Sequence, residues 1–368
     1  MPALAGGRIS MRVARSSVRL WIVLTLALAA VLAVGLVAVR PARAAAKVKL
    51  TMFIWAGANQ GVVPREVVAR YLKAHPDVEI EFWESTNAAT YPKMLAAKQA
   101  NPNAPLVNFG YFNVDLSNRG DTDDMWVPMD PARIPALTKL APALRRPGNR
   151  GLGFSISHVG LMYNKNLVKD PPTSWTALWD PKWQGKVTFF DNNFVPLVLA
   201  AKLNGGNEQS VEPGFRLWAE QARNIRALPT TNDALKNIVV TGEAQIAPWF
   251  AGIWKFWADE GAPLGFVNPK EGAVAFPLYL QIVKGSTPEQ IRVAEEIISE
   301  LMTPENNSRD AQLTNKIPAF ATATLAQQMD PAFDPKVIDS AIWLDWAVMG
   351  QKASEWRSRW EKEVKSRM

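Results

Sequence analysis

The chain has 368 residues, with 41 Lys and Arg against 34 Asp and Glu, two histidines and no cysteine, for a formal charge of +7. Six arginines (Arg8, Arg12, Arg15, Arg19, Arg40 and Arg43) precede Lys47 without a single acid, so the +7 of the whole falls to +1 in the body that follows. A near-neutral body has no field for collecting nucleic acid or anionic lipid, and a chain without cysteine has no disulfide framework, thiolate site or lipidated-cysteine tether.

The early arginines flank an apolar run from Leu20 to Val39, and Ala42, Ala44 and Ala46 follow as small residues in an A-x-A pattern. This is the arrangement of an export signal, so residues 1–46 are expected to be a signal peptide, with the mature chain starting between Ala45 and Lys47 in a periplasm. The competing reading is an uncleaved anchor, since the run is long enough to span a bilayer. The rest of the chain exceeds what one core usually organises, which predicts two domains.

Val48, Leu50, Met52 and Ile54 alternate as in a strand, and Pro64 opens a helix with Val67, Val68, Tyr71 and Leu72 on one face. His75-Pro76 stops it, and Val78, Ile80 and Phe82 alternate again. A second helix is predicted from about Ala89 to Ala100 and a third strand from Leu106 to Phe109. Strands alternating with helices imply a parallel sheet, and such sheets bind ligands beyond the carboxyl ends of their strands. Those ends read Trp55-Ala-Gly-Ala-Asn59, Trp83-Glu-Ser85-Thr-Asn87 and Gly110-Tyr111-Phe-Asn113, each an aromatic beside neutral hydrogen-bonding groups.

After a loop region rich in Pro and Arg, Val127 to Arg150, the run Phe154 to Tyr163 reads as a strand crossing into a second domain. There Pro171-Pro172 forbids helix, Thr173 or Ser174 caps a turn through Trp175 and Leu178, and Gly185 precedes a strand from Lys186 to Phe190. Helices are predicted over Val195 to Leu203 and Pro213 to Asn224, with an apolar segment from Gln245 to Trp257. Ala275 to Val283 reads as a strand crossing back. It leads to a helix with Thr287 as N-cap, Pro288 at the first helical position and Gln290 completing a capping box. From about Leu325 two amphipathic helices are predicted, including Ile342, Trp346, Trp356 and Trp360.

Catalytic patterns are sparse. His75 and His158 are far apart, no H-E-x-x-H spacing occurs, and Gly151-Leu-Gly153 lacks the third glycine of a dinucleotide loop. No cofactor and no metal site is expected, although a pair of acids distant in sequence, as in a secreted hydrolase, stays open as the alternative.

The stretch Gly160 to Asn193 combines Tyr163-Asn164, Pro171-Pro172, Ser174-Trp175, Leu178-Trp-Asp-Pro181 and Gly185-Lys-Val187. With Glu84 to Tyr91, Thr241-Gly-Glu-Ala-Gln245 leading to Trp249, and Pro269-Lys-Glu-Gly-Ala273, it resembles the periplasmic solute-binding proteins of ABC importers, in particular the spermidine/putrescine-binding branch. The resemblance implies an α/β fold of two lobes joined by two crossing strands (type II), each lobe a mostly parallel sheet flanked by helices, with the ligand cleft between. The lobes are expected over residues 47–153 plus 278–323 and 154–277 plus 324–368. The resemblance further implies a monomer that binds a small solute without chemistry and docks on an inner-membrane permease.

Carried over by position, Trp55, Tyr111, Phe250 and Phe276 fall on the aromatic walls of polyamine binders, with Trp249 adjacent. The carboxylates that hold ammonium groups in that branch align with Asn192, Val195 and Leu278. A buried ammonium without a carboxylate costs several kcal/mol, so a long polyamine is disfavoured and a smaller solute with at most one strong cationic group is expected. Asp191 remains as a counter-ion, and Asn59, Ser85, Asn87, Asn113, Ser157 and His158 complete the expected ligand-binding set.

Overall fold

The computed structural model describes residues 47–57, 59–191, 193–320 and 330–368. The expected signal peptide, Asn192 and the start of the C-terminal segment predicted from Leu325 lie outside the described residues. No helix among the described residues is long and apolar enough to cross a membrane.

The first elements follow the predicted alternation. Strand β1 (Val48–Trp55) buries Leu50, Met52 and Ile54, helix α1 (Val62–Ala74) buries Val63, Pro64, Val67 and Val68, and β2 (Val78–Ser85) pairs with β1 in parallel along its whole length. Helix α2 (Asn87–Ala100) starts two residues before the predicted Ala89, because the Thr86 hydroxyl accepts from Ala89 N at 3.2 Å and sets the start.

Strand β3 (Phe109–Asn113) is displaced from the predicted Leu106–Phe109. Its entry is made by a side chain, with Thr51 N donating to Asn108 Oδ1 at 2.8 Å. Gly110 then lets the chain run against β1, where a Cβ would lie 2.1 Å from the Phe53 carbonyl oxygen. The expected ligand loop Gly110–Asn113 is thus strand, and it leads into α3 (Val114–Thr122), which the sequence reading missed. Short β4 (Trp126–Val127) and α4 (Ala136–Lys139) lie in the Pro/Arg-rich region.

Next come β5 (Leu152–Asn164), β6 (Val187–Thr188), α5 (Val195–Lys202), α6 (Glu212–Glu220), β7 (Ile225–Ala227) and α7 (Asn232–Val240). The apolar segment from Gln245 divides into β8 (Ile246–Phe250) and α8 (Ala251–Asp259), and β9 (Leu264–Val267) follows. Strand β10 (Val274–Val283) leads to α9 (Pro288–Leu301), α10 (Pro304–Leu313) and β11 (Ile317–Pro318). In place of two C-terminal helices the described residues show two short 3-10 turns opened by Pro331 and Pro335, the strand β12 (Ile342–Trp343) and one helix, α11 (Trp346–Glu363), capped by Asp345. Ile342 therefore belongs to a strand.

These strands form one mixed sheet in the order β2-β1-β3-β10-β5-β8-β6-β7. The long strands β5 and β10 lie antiparallel at its centre. Leu278–Ile282 of β10 pairs with β3, whereas Val159–Tyr163 of β5 pairs with β8. One hydrophobic cluster joins Leu50, Val67, Tyr111 and Ile297, and another joins Trp175, Trp218, Trp356 and Trp360.

Two of the sequence blocks that carry the family resemblance are bonded to each other. Ser174 Oγ donates to Glu271 Oε1, Trp175 N donates to Glu271 Oε2 at 3.2 Å, and the fully buried Trp175 indole donates to the Gly272 carbonyl at 2.8 Å. The Ser-Trp and Glu-Gly pairs thus satisfy polar groups of each other.

Candidate functional site

The carboxyl ends of β1, β2 and β3, together with the middles of β5 and β10, surround a cavity of about 840 Å³. Trp55, Phe190 and Phe276 supply aromatic surface, and Ser85, Asn87, Asn113 and Ser157 supply neutral polar groups. Strand order explains the convergence. Antiparallel pairing sets Phe276 opposite Ser157 and Leu278 opposite both Ser155 and Asn113, so residues far apart in sequence share one face.

Polar atoms are left open here. Trp55 Nε1 and Asn87 Oδ1, both on cavity-lining residues, have no hydrogen-bond partner among the described residues. Such buried donors and acceptors normally find partners. One donor and one acceptor on lining residues are thus buried without a partner among the described residues.

The other expected site residues that are described do not line this cavity. Tyr111 is 1% exposed in the middle of β3, stacked on Phe154 at 4.3 Å and tilted against Trp55 at 5.6 Å, where it backs the wall instead of forming it. Trp249 points into the core between Phe190 and Trp257, with ring centroids at 4.6 and 6.1 Å. Phe250 meets Phe276 edge-on at 5.4 Å.

His158 is fully buried between the Phe266 and Phe333 rings, where burial holds its imidazole down to about 4 against the opposing Asn268 side chain and Ala332 carbonyl. Ser157 and His158 are strand neighbours and face opposite ways. Asn59 sits at a turn with φ 64°, donating to the Leu313 carbonyl at 3.3 Å, and Asp191 pairs with Lys365 at 2.7 Å.

Residues that sequence reasoning missed include Thr86, Asp115, Arg119, Phe190, Asn232 and Lys316. Lys316 stands one residue before β11, whose Ile317 is opposite Ile156, so the antiparallel register continues to place Lys316 beside Ser157. It is 6% exposed. Its ammonium donates to Gln60 Oε1 at 2.7 Å and lies 4.8 Å from the Trp55 ring centroid. Burial pulls it down to about 8, opposed by the field of Asp310. Asp310 is itself pushed up to about 6 by burial, with no hydrogen-bond partner on either carboxyl oxygen among the described residues.

Asp115 keeps solvent access at the cavity mouth, yet the enclosing protein pushes its carboxyl up to about 6 against the opposing charge of Arg119. Among the described residues no group of three or more His, Cys, Asp or Glu is placed to hold a metal ion.

A strand-ended cavity with aromatic walls and open polar groups defines a small-solute binding protein, and comparison with known proteins gives the class. Residues 66–335 match the model of the bacterial extracellular solute-binding protein family, and the chain belongs to that family. It is 24% identical over 200 residues to the spermidine/putrescine-binding periplasmic protein 1 of Haemophilus influenzae, a match covering 51% of this chain and 54% of that protein. The chain thus spans about half that relative's length.

Among solved structures, an ABC transporter protein from Clostridium perfringens superposes with a TM-score of 0.71 at 18% identity, covering 86% of this chain and 99% of that one. The spermidine/putrescine substrate-binding protein PotD of Streptococcus pneumoniae gives 0.68 at 17%, covering 85% and 99%. The fold is that of the two-lobed α/β binding proteins.

Proposed function

We propose that this chain is the periplasmic substrate-binding component of an ABC importer, which captures a small organic solute between two lobes and hands it unchanged to an inner-membrane permease. The lobes are residues 47–153 plus 278–323 and 154–277 plus 324–368, with the last boundary outside the described residues. Trp55 and Phe276 form walls for the solute's body, and Ser85, Asn87, Asn113 and Ser157 hydrogen-bond its polar groups. The observation that carries the reading is the cavity where β5 and β10 lie side by side, with Trp55 Nε1 and Asn87 Oδ1 open within a family of solute binders.

A long polyamine fits this cavity poorly, although relatives are named for spermidine and putrescine. Of the positions aligned with their carboxylates, Leu278 lines the cavity as an apolar residue and Val195 is 4% exposed within α5. Native mass spectrometry of protein released from the periplasm is expected to show one small-molecule adduct per chain, which denaturation frees chemically intact. Conversion of an added panel of solutes to products, with no retained adduct, would favour a hydrolase instead.

A further inference from the structure

The solute-capture reading leaves open which charge the cavity selects, and the charges on its wall decide that. Lysine side chains are rarely buried without a pairing carboxylate. Lys316 is 6% exposed, lines the cavity, and makes its one hydrogen bond among the described residues to a neutral amide oxygen. An ammonium has three donors. The nearest acid in its field, Asp310, offers it no hydrogen bond, since both Asp310 oxygens lack any partner among the described residues.

The other charged lining residues, Asp115 and Arg119, sit one turn apart on α3 and offset each other. Among the lining residues Lys316 is thus the cation without a hydrogen-bonded acid, with Asp310, which is not part of the lining, acting on it only through space. Around it stand further donors: the Trp55 indole, whose N–H is buried and unpaired and whose ring the ammonium overlies, and the Ser157 hydroxyl on the same cavity wall. The cavity also meets the starts of α2 at Asn87, α3 at Asp115 and α7 at Asn232, and helix N-termini favour negative charge. These starts reinforce a preference that Lys316 already sets.

We propose that the cavity takes a small organic solute bearing one anionic oxyacid group, a carboxylate or a phosphate ester, seated against Lys316 and Ser157 with its less polar body between Trp55 and Phe276. This rests on the solute-capture reading and narrows it. A zwitterion satisfies the same site with its cationic end turned toward Asp115 at the mouth. A polyamine does not, because it brings ammonium groups to a wall whose buried lysine has no hydrogen-bonded carboxylate.

The test uses the mature chain and two panels in calorimetry and thermal shift: carboxylates, zwitterionic amino acids and sugar phosphates in one, putrescine, spermidine and monoamines in the other. Binding is expected from the first panel. Lys316→Met, which removes a buried charge while keeping the stem, is expected to weaken it about 30-fold or more, measured below the variant's own unliganded melt. Ser157→Asp, which places a carboxylate beside the ammonium, is an independent variant expected to abolish it. Binding confined to the amines, or an anion bound equally well by Lys316→Met, overturns the anionic assignment and leaves solute capture standing. Turnover of panel compounds without stable binding overturns both.

Discussion

His158 shows how one buried side chain ties stability to acid. Its imidazole is enclosed by Phe266 and Phe333 and held near 4, below the 6.5 of an exposed histidine. Between those values the unfolded chain binds a proton that the folded chain refuses, so stability present above pH 6.5 is lost as pH falls toward 4. The shift corresponds to about 3 kcal/mol. Buried Asp310, pushed up to about 6, works in the opposite direction, costing stability as pH rises through the same window. Comparing the wild type with His158→Leu separates them. The stability of the wild type relative to the variant is expected to decline by about 3 kcal/mol between pH 6.5 and 4, read by chemical denaturation. A pH-independent difference contradicts the account.

At this scale the sequence was informative about residue types and poor about directions. Aromatic residues at strand ends were visible, but Trp55 faces the cavity while Trp249 and Tyr111 face the core. Strand register decides that, and one position changes the face. Lys316 carried no local signal, because its importance comes from lying beside Ser157, which is distant in the chain.

At the scale of elements, helix α9 was read almost to the residue. Thr287 Oγ1 accepts from Gln290 N at 3.3 Å, Gln290 Oε1 accepts from Thr287 N at 2.8 Å, and Gln290 Nε2 donates to the Lys49 carbonyl at 2.7 Å, tying the helix start to β1. Local chemistry of this kind is written into consecutive residues. Thr287→Ala is expected to cost about 1 kcal/mol in denaturant unfolding with solute affinity unchanged, since the cap is not part of the cavity lining. A loss of affinity at constant stability would contradict that separation. By contrast, α3 went unread because its cap, Asn113, was assigned to a ligand loop. It ends β3 and caps α3, accepting from Leu116 N at 3.0 Å, and it also lines the cavity. In the described part of the C-terminal segment, Asp-Pro pairs at Asp330-Pro331 and Asp334-Pro335 impose short turns, while the helical spacing of Trp346, Trp356 and Trp360 matches helix α11.

For the whole molecule, β5 and β10 were legible as crossing strands from their length, apolar runs and turn-rich flanks. Their pairing, β10 with β3 on one side and β5 with β8 on the other, links the two strand groups through the centre of the sheet. The proposed capture requires two lobes joined in this way to close by bending at a few connecting residues around a solute. Helix α11 adds a further link, anchored by Trp356 and Trp360 in one cluster and packed along α3 near its start. Small-angle scattering of the mature chain, without and with a saturating solute shown by calorimetry to bind, tests capture by closure most directly. The radius of gyration is expected to fall when the solute is added, and superimposable curves in the two states would contradict the account.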